Sequence, residues 1–405
     1  MTRFARHALI VVYEARFPST PEWAPGPLVL QHRQVRSTAE ARSEYYRDKA
    51  THVLYGREDH PNRWHDPTQR VVGDVEILGI EALRVSDEPD ACGLVAIHLR
   101  SRRGAPISLL RGLAGRRDAP PVSFDAQALV NGQAKIESAV PPFTVCFVTP
   151  AKRGLPRLYL HPRYWRWPAA RQWLWALASR TILADYPPDP KHLEPADDEI
   201  IRLSVDWHAV VLRDGMGVVG VRPDEGPDDA FFGYAELYLR SIYLDAVMLG
   251  LLQSQGLKHL EQRMVAALDT NLATTMARLE REVGSFRRRL WAQHLTTHGI
   301  PNRLLAAYQR QHGLRERFDQ ILTEISDFNR LTREDETRHV NSAVVVFTLI
   351  TVPAGIALAL LQVVPSDDPW FFTAVAAGFI VLTAVLLRTR SARFALRALR
   401  GRFTS

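Results

Sequence analysis

The chain has 405 residues, a formal net charge of +7 and 46% hydrophobic residues. That length accommodates two or three domains, and the apolar share lets a soluble region bury a sizeable core. Two cysteines, Cys92 and Cys146, with no CxxC pair exclude a zinc knuckle or a multi-bridge disulfide framework. They predict two buried thiols in a reducing cytosol, with a single disulfide as the alternative. The mean hydropathy of -0.15 averages a very uneven distribution, because nearly all long apolar runs lie after residue 340.

The first residues, MTRFARHALIVVYEARF, resemble a signal peptide only superficially. Glu14 and Arg16 interrupt the apolar run at once and no small-residue cleavage site follows, so a first β-strand over 7–17 is predicted. Residues 1–225 read as mixed α and β. Further strands are predicted at 71–85, 93–101, 143–149, 157–161, 200–211 and 216–221, the last two joined by an AspGly turn. Helices are predicted at 37–51 and 169–184, and loops at 112–121 and 186–198, where Pro, Gly or charge is dense.

Three segments in this region carry residue types capable of chemistry. Asp59, His60, His65 and Asp66 can ligate a divalent cation, the one cofactor these residues would take, but their spacing fits no standard metal motif and a polar surface loop explains them better. The aromatic and arginine-rich run at 164–175 has the composition of a base-stacking surface. Trp173 and Trp175 within a helix read instead as core, so no nucleic-acid partner is predicted. Asp206 and His208 share a strand face, with Asp214 nearby. No nucleophile motif, phosphate loop or GxGxxG accompanies them, so no catalytic residue is assigned and the chain is not read as an enzyme.

Composition changes near residue 227. From Asp228 to His298 there is no proline and apolar residues recur at helical spacing, which predicts a long helix or a helix pair ending near Gly299 and Pro301. A second helical stretch starts at Asn302. In it Leu314, Phe318, Ile321, Ile325 and Phe328 alternate by four and three, the spacing of a coiled-coil seam. No glycine or proline falls between Leu314 and Val352, so the prediction is a continuous stalk helix that becomes the first of two spans.

Residues 340–366 contain no charge, and 343–364 are almost wholly apolar, enough for the ~20 residues that cross a bilayer core. A second uncharged run covers 370–387, with Trp370 where an interfacial anchor belongs. The short connection makes the two runs a helical hairpin. The tail after Leu387 carries six arginines and no acid, while the hairpin loop holds Asp367 and Asp368 and no base. The positive-inside rule then puts both termini in the cytoplasm of a multi-pass protein of the cell membrane. The basic tail reads as a topology signal or as a surface for anionic lipid, so the positive balance has an explanation other than nucleic acid.

Along the first span Asn341, Thr348, Gly355 and Gln362 recur at sevens, with Thr351 close by, and the register extends down to Glu334 and Asp327. In a symmetric oligomer each would repeat as a ring lining a pore, acidic rings below and oxygen-bearing rings above. The alternative is that small and weakly polar residues form a helix-packing face.

The order of these parts resembles the CorA-type magnesium channel superfamily. The likeness is carried by 236–244 (ELYLRSIYL), 314–329 (LRERFDQILTEISDFN) and 347–353 (FTLITVP). It implies a cytoplasmic α/β domain, a stalk entering the membrane, two spans with a short outer loop, and a pentamer. The family's Gly-Met-Asn signature is missing: Gln362, Val363 and Val364 stand at the matching positions, so magnesium selectivity is not implied.

The expected fold is therefore an α+β membrane protein: an α/β domain at 1–225, a helical stalk region at 226–339, spans at about 341–364 and 370–387, and a basic tail at 388–405. The expected partners are the lipid bilayer and further copies of the chain. The leading function is a CorA-like cation channel or transporter. The alternative is a membrane-anchored sensor or partner-binding protein whose hairpin is an anchor or a regulated pore.

Overall fold

The structure is a computed structural model, and it describes residues 4–102, 106–188, 199–270, 273–291, 294–363 and 369–387. It divides into two compact units, Met1–Asp319 and Gln320–Ser405. The helices between 230 and 311 thus belong with the sheet and not with a separate stalk, and the boundary falls inside one long helix.

In chain order, unit 1 opens with β1 (Phe4–Phe17), β2 (Ala24–Pro25), β3 (Gln31–His32) and β4 (Val35–Arg36), then α1 (Ala39–Ser43) and α2 (Asp48–Tyr55). Next come β5 (Arg63–Asp66), β6 (Arg70–Val72), β7 (Val75–Arg84), β8 (Ala91–Ser101), α3 (Pro106–Leu113), α4 (Ala126–Leu129), β9 (Lys135–Ile136) and β10 (Phe143–Pro150). The sheet is completed after α5 (Ala169–Ser179) by β11 (Ile201–Arg202), β12 (Trp207–Val211) and β13 (Gly215–Gly220). Helices α6 (Ala230–Tyr238), α7 (Leu244–Thr270), α8 (Ala273–Arg289) and α9 (Gly299–Gln311) follow.

The main sheet has the order β11-β12-β13-β10-β1-β8-β7-β5-β2. Among its described pairs only β10–β13 is parallel, the step that needs α5 as crossover. Strand β1 is central, paired antiparallel with β10 and β8, and Ala8 to Val12 are buried on both faces. Leu9, Val11, Ala15 and Phe17 join Val95, Ile97 and Leu99 of β8 in the core beneath α3, α4 and α5. The alternate residues of the same strands, including Ile10, Glu81 and His98, lie on the other face, because successive side chains of a strand point oppositely.

Strand β13 must accept α5 at close range. A Cβ on Gly217 would lie 2.5 Å from the Leu174 carbonyl oxygen, so only glycine fits. The predicted strand at 157–161 does not form: the segment is irregular, with a bend at Leu158. The buried Gln172 side chain accepts from the Leu158 and Tyr159 amides at 2.9 and 3.0 Å and takes the place of a neighbouring strand. The predicted helix 37–51 is two helices, α1 and α2, and 169–184 stops at Ser179, where Arg180 adopts a left-handed conformation.

Helix α10 covers Leu314–Val363 without a break, and α11 covers Pro369–Leu387. Fifty helical residues extend about 75 Å. The continuity expected from Asn302 is interrupted at Gly313, whose φ of +57° ends α9. Pro353 does not end α10; a helix can lose one backbone bond where neighbours compensate.

Candidate functional site

In unit 2 the described part of the polar register is exposed. The Thr348 and Thr351 hydroxyls each donate to the carbonyl four residues earlier, Val344 and Phe347, at 2.8 Å. With the proton committed to the helix backbone, each hydroxyl presents only lone pairs outward. Gly355 is exposed beside them, and Asp327 is exposed and lies 3.9 Å from Arg330. The side chains of Glu334, Asn341 and Gln362, the loop acids Asp367 and Asp368, and the arginine tail lie outside the described residues.

Around the register, Val344, Phe347, Val352, Ile356 and Leu358 of α10 and Trp370, Ile380, Val381 and Val385 of α11 are 50–79% exposed. Counting the described residues alone, no helix is long and apolar enough to cross a membrane. Many side chains of both helices fall outside that count, although the sequence beneath 343–363 and 370–387 carries no charge.

Unit 1 contains a cluster that spacing in the sequence does not announce. Arg42 of α1, Arg63 of β5, Glu81 of β7, His98 of β8 and Asp245 of α7 are all fully buried between the sheet and the helices. Arg42 reaches Asp245 at 3.2 Å, the Leu28 carbonyl at 2.6 Å and the Ser37 carbonyl at 3.1 Å. Arg63 binds Glu81 directly and Asp245 at 3.1 Å, and the Tyr55 hydroxyl donates to Asp245 at 2.7 Å. Two cations thus face two anions. Burial alone would raise the Glu81 carboxyl, but Arg63 and Arg42 outweigh it and hold it at about 2. Burial pushes the His98 ring down to about 3, so it is neutral, with Nε2 3.7 Å from Glu81.

A π-helical turn, Leu239–Tyr243, joins α6 to α7, and such turns are frequent at functional sites. Its Arg240 is buried, donates to the Leu99 carbonyl at 3.0 Å and pairs with Glu236 at 3.1 Å. Arg6 and Arg100 approach the same carboxylate at 3.3 and 3.4 Å. The Glu236 carboxyl, which burial alone would raise, is lowered by Arg240 and Arg100. In both networks opposite charges meet within the core, but Arg63 Nε and Nη1, both His98 ring nitrogens and Arg240 Nη1 are buried without a hydrogen-bond partner.

Two adjoining clefts of about 430 and 810 Å³ open at the β7–β8 turn and share Val85, Ser86, Glu88, Gly256, His259 and Leu290. The larger is also lined by Lys49, His52, Arg288 and Arg289. Its volume is that of a small-molecule site.

The other sequence candidates separate. Among the described residues no group of three His, Cys, Asp or Glu side chains converges as a metal site. Asp59 and His60 are exposed and pair with each other, His65 Nδ1 meets the Gly26 carbonyl at 2.9 Å, and Asp66 pairs with Arg70. Asp206 binds Arg222 at 3.1 Å and Asp214 lies 3.5 Å from Arg180, so neither forms an acid–base pair with His208. Tyr164, Trp167, Trp173 and Trp175 are buried as core. Both cysteines are free; Cys146 is buried as expected, but Cys92, near the start of β8, is exposed.

Comparison with protein-family models, with curated proteins and with solved structures found no match.

Proposed function

We propose that this chain is a two-span integral membrane protein with a CorA-like order of parts, and that it acts as a homo-oligomer passing cations along the polar face of its first span. Insertion is supported most directly by one observation: within the two uncharged runs, Val344, Phe347, Val352, Ile356 and Leu358 of α10 and Trp370, Ile380, Val381 and Val385 of α11 are half to four-fifths exposed. Contiguous apolar surface of that kind requires a partner, and lipid is the partner that suits uncharged helices of this length. The cation path is supported by the register of Thr348, Thr351 and Gly355, where hydroxyls with their protons turned inward offer oxygen to an ion. Two helices per chain cannot enclose a pore, so conduction requires several copies; the family resemblance implies five. With no Gly-Met-Asn signature, selectivity for magnesium is not part of the proposal.

The test is ion flux through the purified chain in liposomes, with magnesium, other divalent and monovalent cations offered in turn. The proposal requires flux in the wild type that Thr348→Leu and Gln362→Leu remove without changing assembly. A correctly assembled wild type that carries no ion contradicts conduction. A second reading, an anchored sensor whose hairpin only tethers unit 1, is favoured by the 810 Å³ cleft with its basic wall.

A further inference from the structure

Residues 151–184 contain seven basic side chains and no acid. The first part of this run, between β10 and α5, is an ordered platform. Tyr164 and Trp167 are buried against Trp175 and Leu183. Gln172, also buried, accepts from the amides of Leu158 and Tyr159 and donates to the carbonyls of Tyr159 at 3.2 Å and Trp167 at 3.4 Å. The His161 ring accepts from the Arg163 amide at 3.2 Å, and Arg157 donates to the Trp165 carbonyl at 3.2 Å. The backbone is thus held by side chains of its own unit.

That platform presents two large apolar side chains to the outside. Leu160 is 82% exposed and Trp165 is 78% exposed, five residues apart in a rigid loop. Around them Lys152, Arg153, Arg157, Arg163 and Arg166 are all exposed. A single exposed apolar residue needs no explanation. A tryptophan and a leucine exposed on one loop that also exposes five cations are a different matter. This is the composition of a surface that dips into the headgroup layer of an anionic bilayer, the indole at the polar boundary and the cations on lipid phosphate.

We infer that the loop 151–167 is a docking surface for an anionic bilayer. Charge complementarity selects the occupant: the acid-free run repels a basic partner and attracts a negative surface. Single-stranded nucleic acid also pairs arginine with aromatic rings, but it does so through stacking platforms. Here Tyr164, Trp167, Trp173 and Trp175 are buried and the exposed His161 ring is already stacked on Tyr159, which leaves Trp165 and the aliphatic Leu160 as the large exposed apolar side chains of the loop. The inference rests on the membrane reading above for its context, since a chain anchored by a hairpin keeps this loop at high effective concentration beside a bilayer.

The experiment uses the full chain in nanodiscs of neutral phosphatidylcholine or of phosphatidylcholine with phosphatidylserine. Co-elution with the nanodisc reports on hairpin insertion, and hydrogen exchange of the amides in 151–167 reports on docking, so failure of one is distinguishable from failure of the other. Exchange should slow roughly tenfold in the serine-containing discs relative to neutral ones. The protection should vanish in 0.5 M salt, and be lost in Arg163→Glu/Arg166→Glu and in Trp165→Ser, whose side chains are exposed and whose exchange elsewhere should match the wild type. Equal exchange in both disc types, in a chain that co-elutes with them, overturns the inference. So does protection by added single-stranded RNA and not by lipid.

Discussion

In unit 1 four charged side chains, Arg42, Arg63, Glu81 and Asp245, lie deeper than many of the apolar ones. In unit 2 most of the large apolar side chains described from Val344 onward are exposed, and the threonine hydroxyls turn back on their own helix. Each arrangement is costly in the other's surroundings. A buried ion pair holds only when every partner is in place, and an exposed apolar helix face is stable only out of water. On the proposed reading, water is the solvent of the sheet unit and lipid that of the two long helices.

The strongest way to break the first half of this contrast is Asp245→Ala. It leaves Arg42 and Arg63 buried with one anion between them, and should cost about 3–5 kcal/mol, read as a shift of the denaturation midpoint of unit 1. A loss near zero would mean that Asp245 is not the shared counter-charge. For the second half, Ile356→Asp puts a carboxylate near the middle of the proposed first span. It should cost about 2.5–3.5 kcal/mol of insertion, measured as the inserted fraction in cell-free translation with microsomes, and an unchanged fraction would argue that this face never meets lipid.

Acid should weaken unit 1. The folded His98 ring titrates at about 3 and the unfolded one at about 6.5, so between these values the unfolded chain binds a proton that the folded chain does not. Stability complete above pH 6.5 should therefore fall by about 1.4 kcal/mol per pH unit as the pH drops below it. Glu81, lowered from 4.5 to about 2, adds to the loss below pH 4.5. His7, His208 and His312 are also lowered by burial and act with the same sign, so His98→Gln should reduce the slope between pH 6 and 5 without abolishing it. A wild type with flat stability over that interval would rule out a neutral buried His98. The smallest effect belongs to the surface: Arg263→Ala breaks a partly exposed pair with Glu282 and should cost about 0.5 kcal/mol or less in the same melt.

The parts legible in the sequence were those governed by local pattern. The near-continuous apolar runs within 7–17 and 93–101 mark β1 and β8, and the absence of Gly and Pro between Leu314 and Val352 marks most of α10. What spacing could not reveal was set by contacts between distant residues. Arg42, Arg63, Glu81 and Asp245 come from four separate elements; Glu81 and Asp245 leave a local trace, a charge inside the apolar runs EILGIEAL and YLDAVML, whereas Arg42 and Arg63 sit in polar stretches and leave none. His98 in LVAIHLR and Arg240 in ELYLRSIYL are further ionisable residues within apolar runs. The stretch 157–161 was misread as a strand because β propensity does not specify a partner, and here the partner is one glutamine. The break at Gly313 escaped because the helical pattern on both sides of it is strong.

The measurement that tests the central claim most directly is alkaline carbonate extraction of membranes from cells expressing the full chain. Hairpin insertion through α10 and α11 predicts that the chain stays in the membrane pellet with integral proteins and is released only by detergent. Recovery in the carbonate supernatant would contradict it, and would leave the outward-facing apolar surface of unit 2 to be covered by protein instead of lipid.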